Sequence, residues 1–294
     1  MNRLLLMVIT MSTILFSQPA STGADLRKQL ESLIRSRQGE FAVAFSDLTT
    51  GERLLINERT SFHAASTMKT PVMIEIYRQA AAHILSLDDS VDVRNSFRSI
   101  VDGSEYALDL SDDSDDGLYR FIGKKQTIRE LVFKMITVSS NLATNILIEM
   151  AGPENIMRTM REMGCNDIRV RRGVEDGKAF AAGLNNTTTA YDLMLIFEQL
   201  AQKKVVDAAT SEGMLAVLRA QKFRDMIPAL LPPDVLVAHK TGSITNVQHD
   251  SGIITLPDGR QYVLVLLSRN LKNNKDGIEV LALLSKAVHD FVRK

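Results

Sequence analysis

Gly252-Ile253-Ile254-Thr255-Leu256-Pro257-Asp258-Gly259-Arg260-Gln261-Tyr262-Val263-Leu264-Val265-Leu266-Leu267 reads as two strands folded back on one another. Two short apolar runs flank Pro257-Asp258-Gly259, where proline presets one turn residue and glycine accepts a backbone angle closed to other residues. Upstream, Val235 to Ala238 is a third strand-like run. Downstream, Ile278, Leu281, Leu284, Val288, Phe291 and Val292 recur at helical spacing and make a closing helix. The N-terminal end has the same ingredients. Leu26, Leu30, Leu33 and Ile34 mark an amphipathic helix, and Phe41 to Leu48 and Arg53 to Ile56 flank the turn Thr49-Thr50-Gly51-Glu52. From Phe62 to about Ala209 the period is helical: Ile128, Leu131, Val132, Met135 and Ile136 share a face, and Leu142, Ile146, Leu147 and Met150 follow. Strands at both ends with helices between them imply one shared sheet. The expected fold class is therefore α/β (α+β): a mostly antiparallel sheet flanked by N- and C-terminal helices, with an inserted all-helical lobe. The expected boundaries are an α/β lobe over 24–61 and 211–294 and a helical lobe over 62–210, together one domain over 24–294.

Lys plus Arg and Asp plus Glu each number 35, so no basic field favours nucleic acid as a partner. Asn2 and Arg3, an apolar run from Leu4 to Phe16 and small residues at Ser21, Gly23 and Ala24 read as a secretory signal over residues 1–23. The run is too short to span a bilayer, so no stable membrane insertion is expected. The exported chain would be periplasmic or secreted, and a monomer is expected. Cys165 is the only thiol and reads as a buried small apolar residue. Asp112-Asp113-Ser114-Asp115-Asp116 lacks the closing glutamate of a calcium loop, with Gly123 in its place, and reads as a solvated acidic loop.

Three short motifs carry chemistry. In Ser66-Thr67-Met68-Lys69, serine and lysine lie three apart at the start of a helix, so the amine can reach the hydroxyl. Serine is a weak nucleophile without a base, and lysine serves as one only if burial lowers its pKa. Such a pair arises by chance roughly once in a chain of this length, so it decides nothing alone. Ser139-Ser140-Asn141 lies between two helices, where a hydroxyl can relay a proton and an amide can hold a substrate amide; an N-cap serine is the plainer local reading. In Lys240-Thr241-Gly242-Ser243, after the strand Val235 to Ala238, the lysine and hydroxyls can bind a carboxylate. Gly242 admits substrate to the backbone, and the Ser243 N–H can join that of Ser66 as an oxyanion hole.

In order and spacing these motifs resemble those of the class A serine β-lactamases and related penicillin-binding proteins, over nearly the whole mature chain; Gly252 to Gly259 resembles that family's penultimate strand and turn. The resemblance implies that Ser66 is acylated, Lys69 helps deprotonate it and Ser139 shuttles a proton to the lactam nitrogen. Asn141 would bind the side-chain amide, and Lys240, Thr241, Gly242 and Ser243 the carboxylate and oxyanion. It implies a β-lactam substrate, with cell-wall peptide as a further candidate, and neither cofactor nor metal. Ungapped counting from Asn141 puts the family's deacylating glutamate at Glu175, although the asparagine after it then falls at Ala179 and the loop-stapling arginine at Gly173. A competing register built on Leu184-Asn185 puts Ala181 in that place; Glu175 is favoured because it needs no gap. Three residues depart from the pattern: His239 before the strand lysine, Ser251 where a carboxylate-binding arginine is common, with Arg224 or Arg269 as substitutes, and Ser140 for the aspartate of the loop motif. Two alternatives stay open, a DD-peptidase-like protein that acylates but releases slowly and a binding module that keeps the fold. A Ser-His-Asp hydrolase lacks its Gly-x-Ser-x-Gly elbow, and the histidines show no metal-ligand spacing.

Overall fold

The computed structural model describes residues 22–294, so the leader expected over 1–23 lies outside the described residues except for Thr22 and Gly23. Helix α1 (Gly23–Arg35) opens on a capping box in which Thr22 and Asp25 satisfy each other's backbone N–H, and it buries Leu26 and Leu30. Strands β1 (Glu40–Asp47) and β2 (Arg53–Ile56) follow as the expected hairpin, its turn held by the Asp47 carboxylate accepting from the Thr49 and Thr50 N–H groups at 2.7 and 3.0 Å. Strand β3 (Phe62–His63) leads through a single 3₁₀ turn, Ala65–Met68, into α2 (Lys69–Ala81), which is buried along nearly its whole first ten residues.

The inserted lobe is built around α2. Segment 82–124 carries no α-helix: β4 (Ser90–Asp92), β5 (Phe97–Arg98) and β6 (Glu105–Tyr106) form short ribbons, β5 with β6 and β4 with β7 (Lys125–Thr127). The lobe is therefore mainly rather than purely helical, because clusters such as Asp88-Asp89-Ser90 and Asp102-Gly103-Ser104 favour turns over helix. Helix α3 (Ile128–Thr137) buries the face read from its spacing, and α4 (Asn141–Ala151), α5 (Pro153–Glu162) and the short α6 (Gly177–Ala181) follow. Strand β8 (Thr187–Thr188) pairs with β3; α7 (Ala190–Ala201) packs on the sheet and α8 (Ala208–Arg219) on its last edge.

Three long antiparallel strands complete the main sheet, β9 (Leu236–Ile244), β10 (Val247–Thr255) and β11 (Gln261–Arg269), and α9 (Asn274–Val292) closes the fold. The strand order is β2-β1-β11-β10-β9, which puts the first hairpin beside the last strands. Alternation along β1 assigns its two faces. Phe41, Val43 and Phe45 join Leu26, Leu30, Leu281, Leu284 and Val288 on the α1/α9 side, while Ala42 and Ala44 join the core of the inserted lobe. Both faces are covered, and each fully buried Leu or Phe contributes about 1.5–3 kcal/mol.

Candidate active site

The site grows from the entrance to α2. Residues three apart eclipse in a 3₁₀ turn, so Ala65–Met68 puts Ser66 and Lys69 on one face. The turn is held by a strained residue: Ala65 adopts φ +45°, and its N–H donates to His63 Nδ1 at 3.0 Å. Ser66 is half-buried at the cleft, and among the described residues its hydroxyl has no hydrogen-bond partner. Lys69 is fully buried. Its amine donates to the Ser139 carbonyl at 2.7 Å, to Ser139 Oγ at 3.1 Å and to Asn141 Oδ1 at 2.9 Å, and not to Ser66 as the sequence suggested. Burial brings this amine down to about 7, against the opposing pull of Asp113 and Glu175.

Ser139 lies in the break between α3 and α4, in the left-handed region at φ +58°. The two readings of this motif fall to different residues. Ser140 caps α4, its hydroxyl accepting from the Ala143 N–H at 3.3 Å, while Ser139 turns into the cleft. Asp113 completes the cap by accepting from the Asn141 and Leu142 N–H groups at 3.0 and 2.8 Å. The acidic run is thus not merely solvated: Asp113 anchors α4, and Asp115, buried, pairs with Lys134 at 3.0 Å. Short spacing alone cannot reveal such long-range caps.

Lys240 arrives from β9, which runs through the third motif instead of ending before it, because Lys240, Thr241 and Gly242 pair with Ser251, Asp250 and His249 of β10. The Lys240 amine is fully buried and donates to Ser139 Oγ at 3.1 Å and to the Thr241 carbonyl at 2.8 Å. Burial, and then the nearby Lys69, hold it well below the ordinary lysine range. Gly242 keeps the approach of β9 to Ser66 open: a Cβ there would sit 3.2 Å from the Ser66 backbone nitrogen and 3.3 Å from Ala65 Cβ, tighter than an ordinary contact. Ser243 Oγ accepts from Gln248 Nε2 at 2.7 Å.

Glu175 comes from the loop after α5. Arg172, one residue before the expected position, staples this loop by donating to the Leu184 and Gly173 carbonyls and to Asn185 Oδ1. Asn145 grips Val174 through both backbone groups, accepting at 2.6 Å and donating at 3.0 Å. Asp176 caps α6 and holds Ser99 and the Ile100 N–H. Between these clamps Glu175 sits at φ +61°, and its carboxylate accepts from Asn141 Nδ2 at 2.8 Å. Burial raises its pKa. In the competing register, Ala181 is exposed at the end of α6.

Ser66, Ser139, Asn141, Thr241 and Ser243 line one cavity of about 330 Å³, and Ser66, Asn141, Glu175 and Ser243 line a second of about 630 Å³. Neither substitute arginine reaches them. Arg269 is spent on Glu40, the Ser61 carbonyl and the Phe62 ring, Arg224 is exposed between two residues of the first cavity without lining it, and Ser251 is buried under the Lys240 carbonyl. The polar residue at that end of the cleft is Gln248, which the sequence reading missed. His239 pairs with Asp250 at 2.8 Å and His249 with the His63 carbonyl at 2.8 Å, both buried and outside the cavities. Among the described residues no cluster of His, Cys, Asp and Glu could hold a metal ion. Cys165 is buried, and burial pushes its thiol up to about 12.

Known proteins carry the same fold. A beta-lactamase of Bacteroides uniformis is 23% identical over 284 residues, covering 92% of each chain. The extended-spectrum beta-lactamase PER-1 of Pseudomonas aeruginosa is 24% identical over 322 residues, covering 100% of this chain and 97% of that one. The crystal structure of a beta-lactamase from Sphaerobacter thermophilus superposes with a TM-score of 0.79 at 24% identity, covering 92% of this chain and 98% of that one. The model of the beta-lactamase enzyme family matches residues 25–292. With that match spanning almost every described residue, the chain belongs to the beta-lactamase enzyme family.

Proposed function

We propose that this chain is a class A-type serine β-lactamase, a single catalytic domain over 24–294 that opens the lactam ring of penicillin- and cephalosporin-type compounds in the cleft between its two lobes. The carrying observation is the Ser139 hydroxyl at 3.1 Å from both buried amines, in a cavity it shares with Ser66. Lys69, near neutrality, takes the Ser66 proton as Oγ attacks the lactam carbonyl. The N–H groups of Ser66 and Ser243 stabilise the oxyanion, and Gly242 lets the strand come close enough. Ser139 passes its proton to the leaving nitrogen and is reprotonated from the lysines beside it. Asn141 holds the acyl-side amide; Lys240, Thr241 and Ser243 hold the carboxylate. Glu175 then takes a proton from water as the hydroxide attacks the ester; the carbonyl–Oγ bond breaks and that proton is passed back to Ser66 Oγ, which restores the serine hydroxyl and the Glu175 carboxylate. No cofactor or metal is assigned.

The second reading is a DD-peptidase-like protein that acylates on lactam or cell-wall peptide and releases slowly. It is favoured by the company Glu175 keeps, since Asp112 and Asp113 add to burial in raising its pKa and so weaken its ionisation. Export to the periplasm or beyond, as a monomer, belongs to the same proposal; among the described residues no helix is long and apolar enough to cross a membrane. Intact-mass spectrometry after brief exposure to penicillin tests it. A mass increment present in the unmodified protein and lost in Ser66→Ala is expected, and an increment surviving that substitution would refute the assignment of the nucleophile.

A further inference from the structure

The cavity that holds Ser66, Ser139 and Thr241 also holds two carboxylates, Asp112 from the inserted lobe and Asp225 from the loop between α8 and β9. Both are exposed, and neither side chain has a hydrogen-bond or salt-bridge partner among the described residues. No lysine or arginine is among the residues lining this cavity: Lys240 is buried behind Ser139, Arg269 is bound to Glu40, and Arg224, exposed between the lining residues Phe223 and Asp225, borders the wall without lining it. Phe223, 39% exposed, and Ile278 add an aromatic and an aliphatic surface to the same wall. Thr241, 5% exposed, opens on this space with a hydroxyl that no protein group engages.

Because the cavity contains Ser139, the proton donor to the leaving nitrogen, it is the leaving-group side; the larger cavity, with Glu175 and Arg172, is the acyl side, and Asp112 stands at the boundary of both while Asp225 lines the first alone. A leaving group carrying only a carboxylate is held through Lys240, Thr241 and Ser243 and gains no attraction from the two aspartates. One that also carries a cation meets two carboxylates and an aromatic face, which attract it. Resting on the serine-acylation reading above, we propose that this cleft selects zwitterionic substrates, with a positive charge on the leaving-group side facing Asp112 and Asp225. Those two residues determine specificity and touch no reacting atom.

Two cephalosporins that differ only at C3, one bearing a pyridiniomethyl and the other an acetoxymethyl group, test it. The quantity read is the ratio of their kcat/KM values, compared across variants so that intrinsic reactivity cancels. Asp112→Asn and Asp225→Asn each lower the cationic-to-neutral ratio roughly two- to fivefold, as for exposed charge pairs, and the double variant lowers it further. Raising sodium chloride from about 20 mM to about 500 mM erodes the ratio in the unmodified protein and leaves the double variant nearly unchanged. If both compounds turn over with the same ratio in the unmodified protein and the double variant, the inference falls and the serine reading stands. If neither compound acylates Ser66, both fall.

Discussion

The amines of Lys69 and Lys240 meet at a single oxygen, Ser139 Oγ, each 3.1 Å from it, although 171 positions separate the two lysines in the chain. One hydroxyl has two lone pairs and one proton, so two donating amines leave that proton free to point into the cleft. Burial lowers both amines, and Lys240 is lowered further by the neighbouring Lys69.

Acylation should therefore depend on pH near neutrality. In the proposed mechanism the neutral Lys69 amine is the base, and its value lies near 7, so the single-turnover acylation rate should climb as pH rises through 7 and level off above 8. Stopped-flow mixing with a chromogenic cephalosporin measures it, and a flat profile from about pH 5.5 to 8.5 would sink the assignment. The same shift has a stability consequence. Lys69 is lowered in the fold from 10.5 to about 7, so between these values the unfolded chain binds more protons there. Its contribution makes stability rise with pH across that window, and the penalty is fully present below pH 7.

Replacing Glu175 should divide the reaction in two. Glu175→Gln keeps the Asn141 contact but loses the base, so acylation persists while release slows by roughly 10²–10⁴-fold. A burst of one equivalent followed by a stable adduct in the mass spectrum is the expected result; undiminished steady-state turnover would move the deacylating base elsewhere. In the unmodified enzyme, release should fail on acidification at a pH above the ordinary glutamate value of 4.5, because burial raises this carboxyl.

Gly173→Ala should reproduce part of that defect from a distance. The added Cβ would lie 2.4 Å from Asn145 Oδ1, forcing apart the amide that holds Val174 beside Glu175. Overpacking of this kind costs about 1–3 kcal/mol. The expected outcome is a lower Tm, with deacylation impaired more than acylation; equal loss of both steps would argue against a local effect on the loop.

Tyr262→Phe offers a control in the opposite direction. The hydroxyl is buried without a partner among the described residues, while the ring packs edge-on to Phe45 at 5.8 Å. Removing the oxygen keeps the packing and should raise stability by about 1 kcal/mol in urea denaturation. A marked loss would mean that an enclosed water satisfies the hydroxyl.

The periodicities of Leu26 to Ile34, Ile128 to Ile136 and Ile278 to Val292 are local, and each yields a helix with the face it marked. The strands of 252–267 and their turn were equally legible. Segment 82–124 was not, because short ribbons such as β5 with β6 hold together through partners that no window of sequence contains. The extension of β9 through Lys240 to Ser243 was hidden for the same reason, since it depends on pairing with β10.

The sequence by itself determined the long helices, the strands of the terminal hairpins and which side chains are candidates for chemistry, because helical and strand periods and the three motifs are written within a few residues. Only the tertiary structure decided that Lys69 bonds Ser139 and not Ser66, that Arg172, Asn145 and Asp176 fix the loop of Glu175, and that Asp113 caps the helix behind Asn141. These contacts join groups far apart in the chain, and their strength comes from burial, which exists only once the lobes have closed on one another.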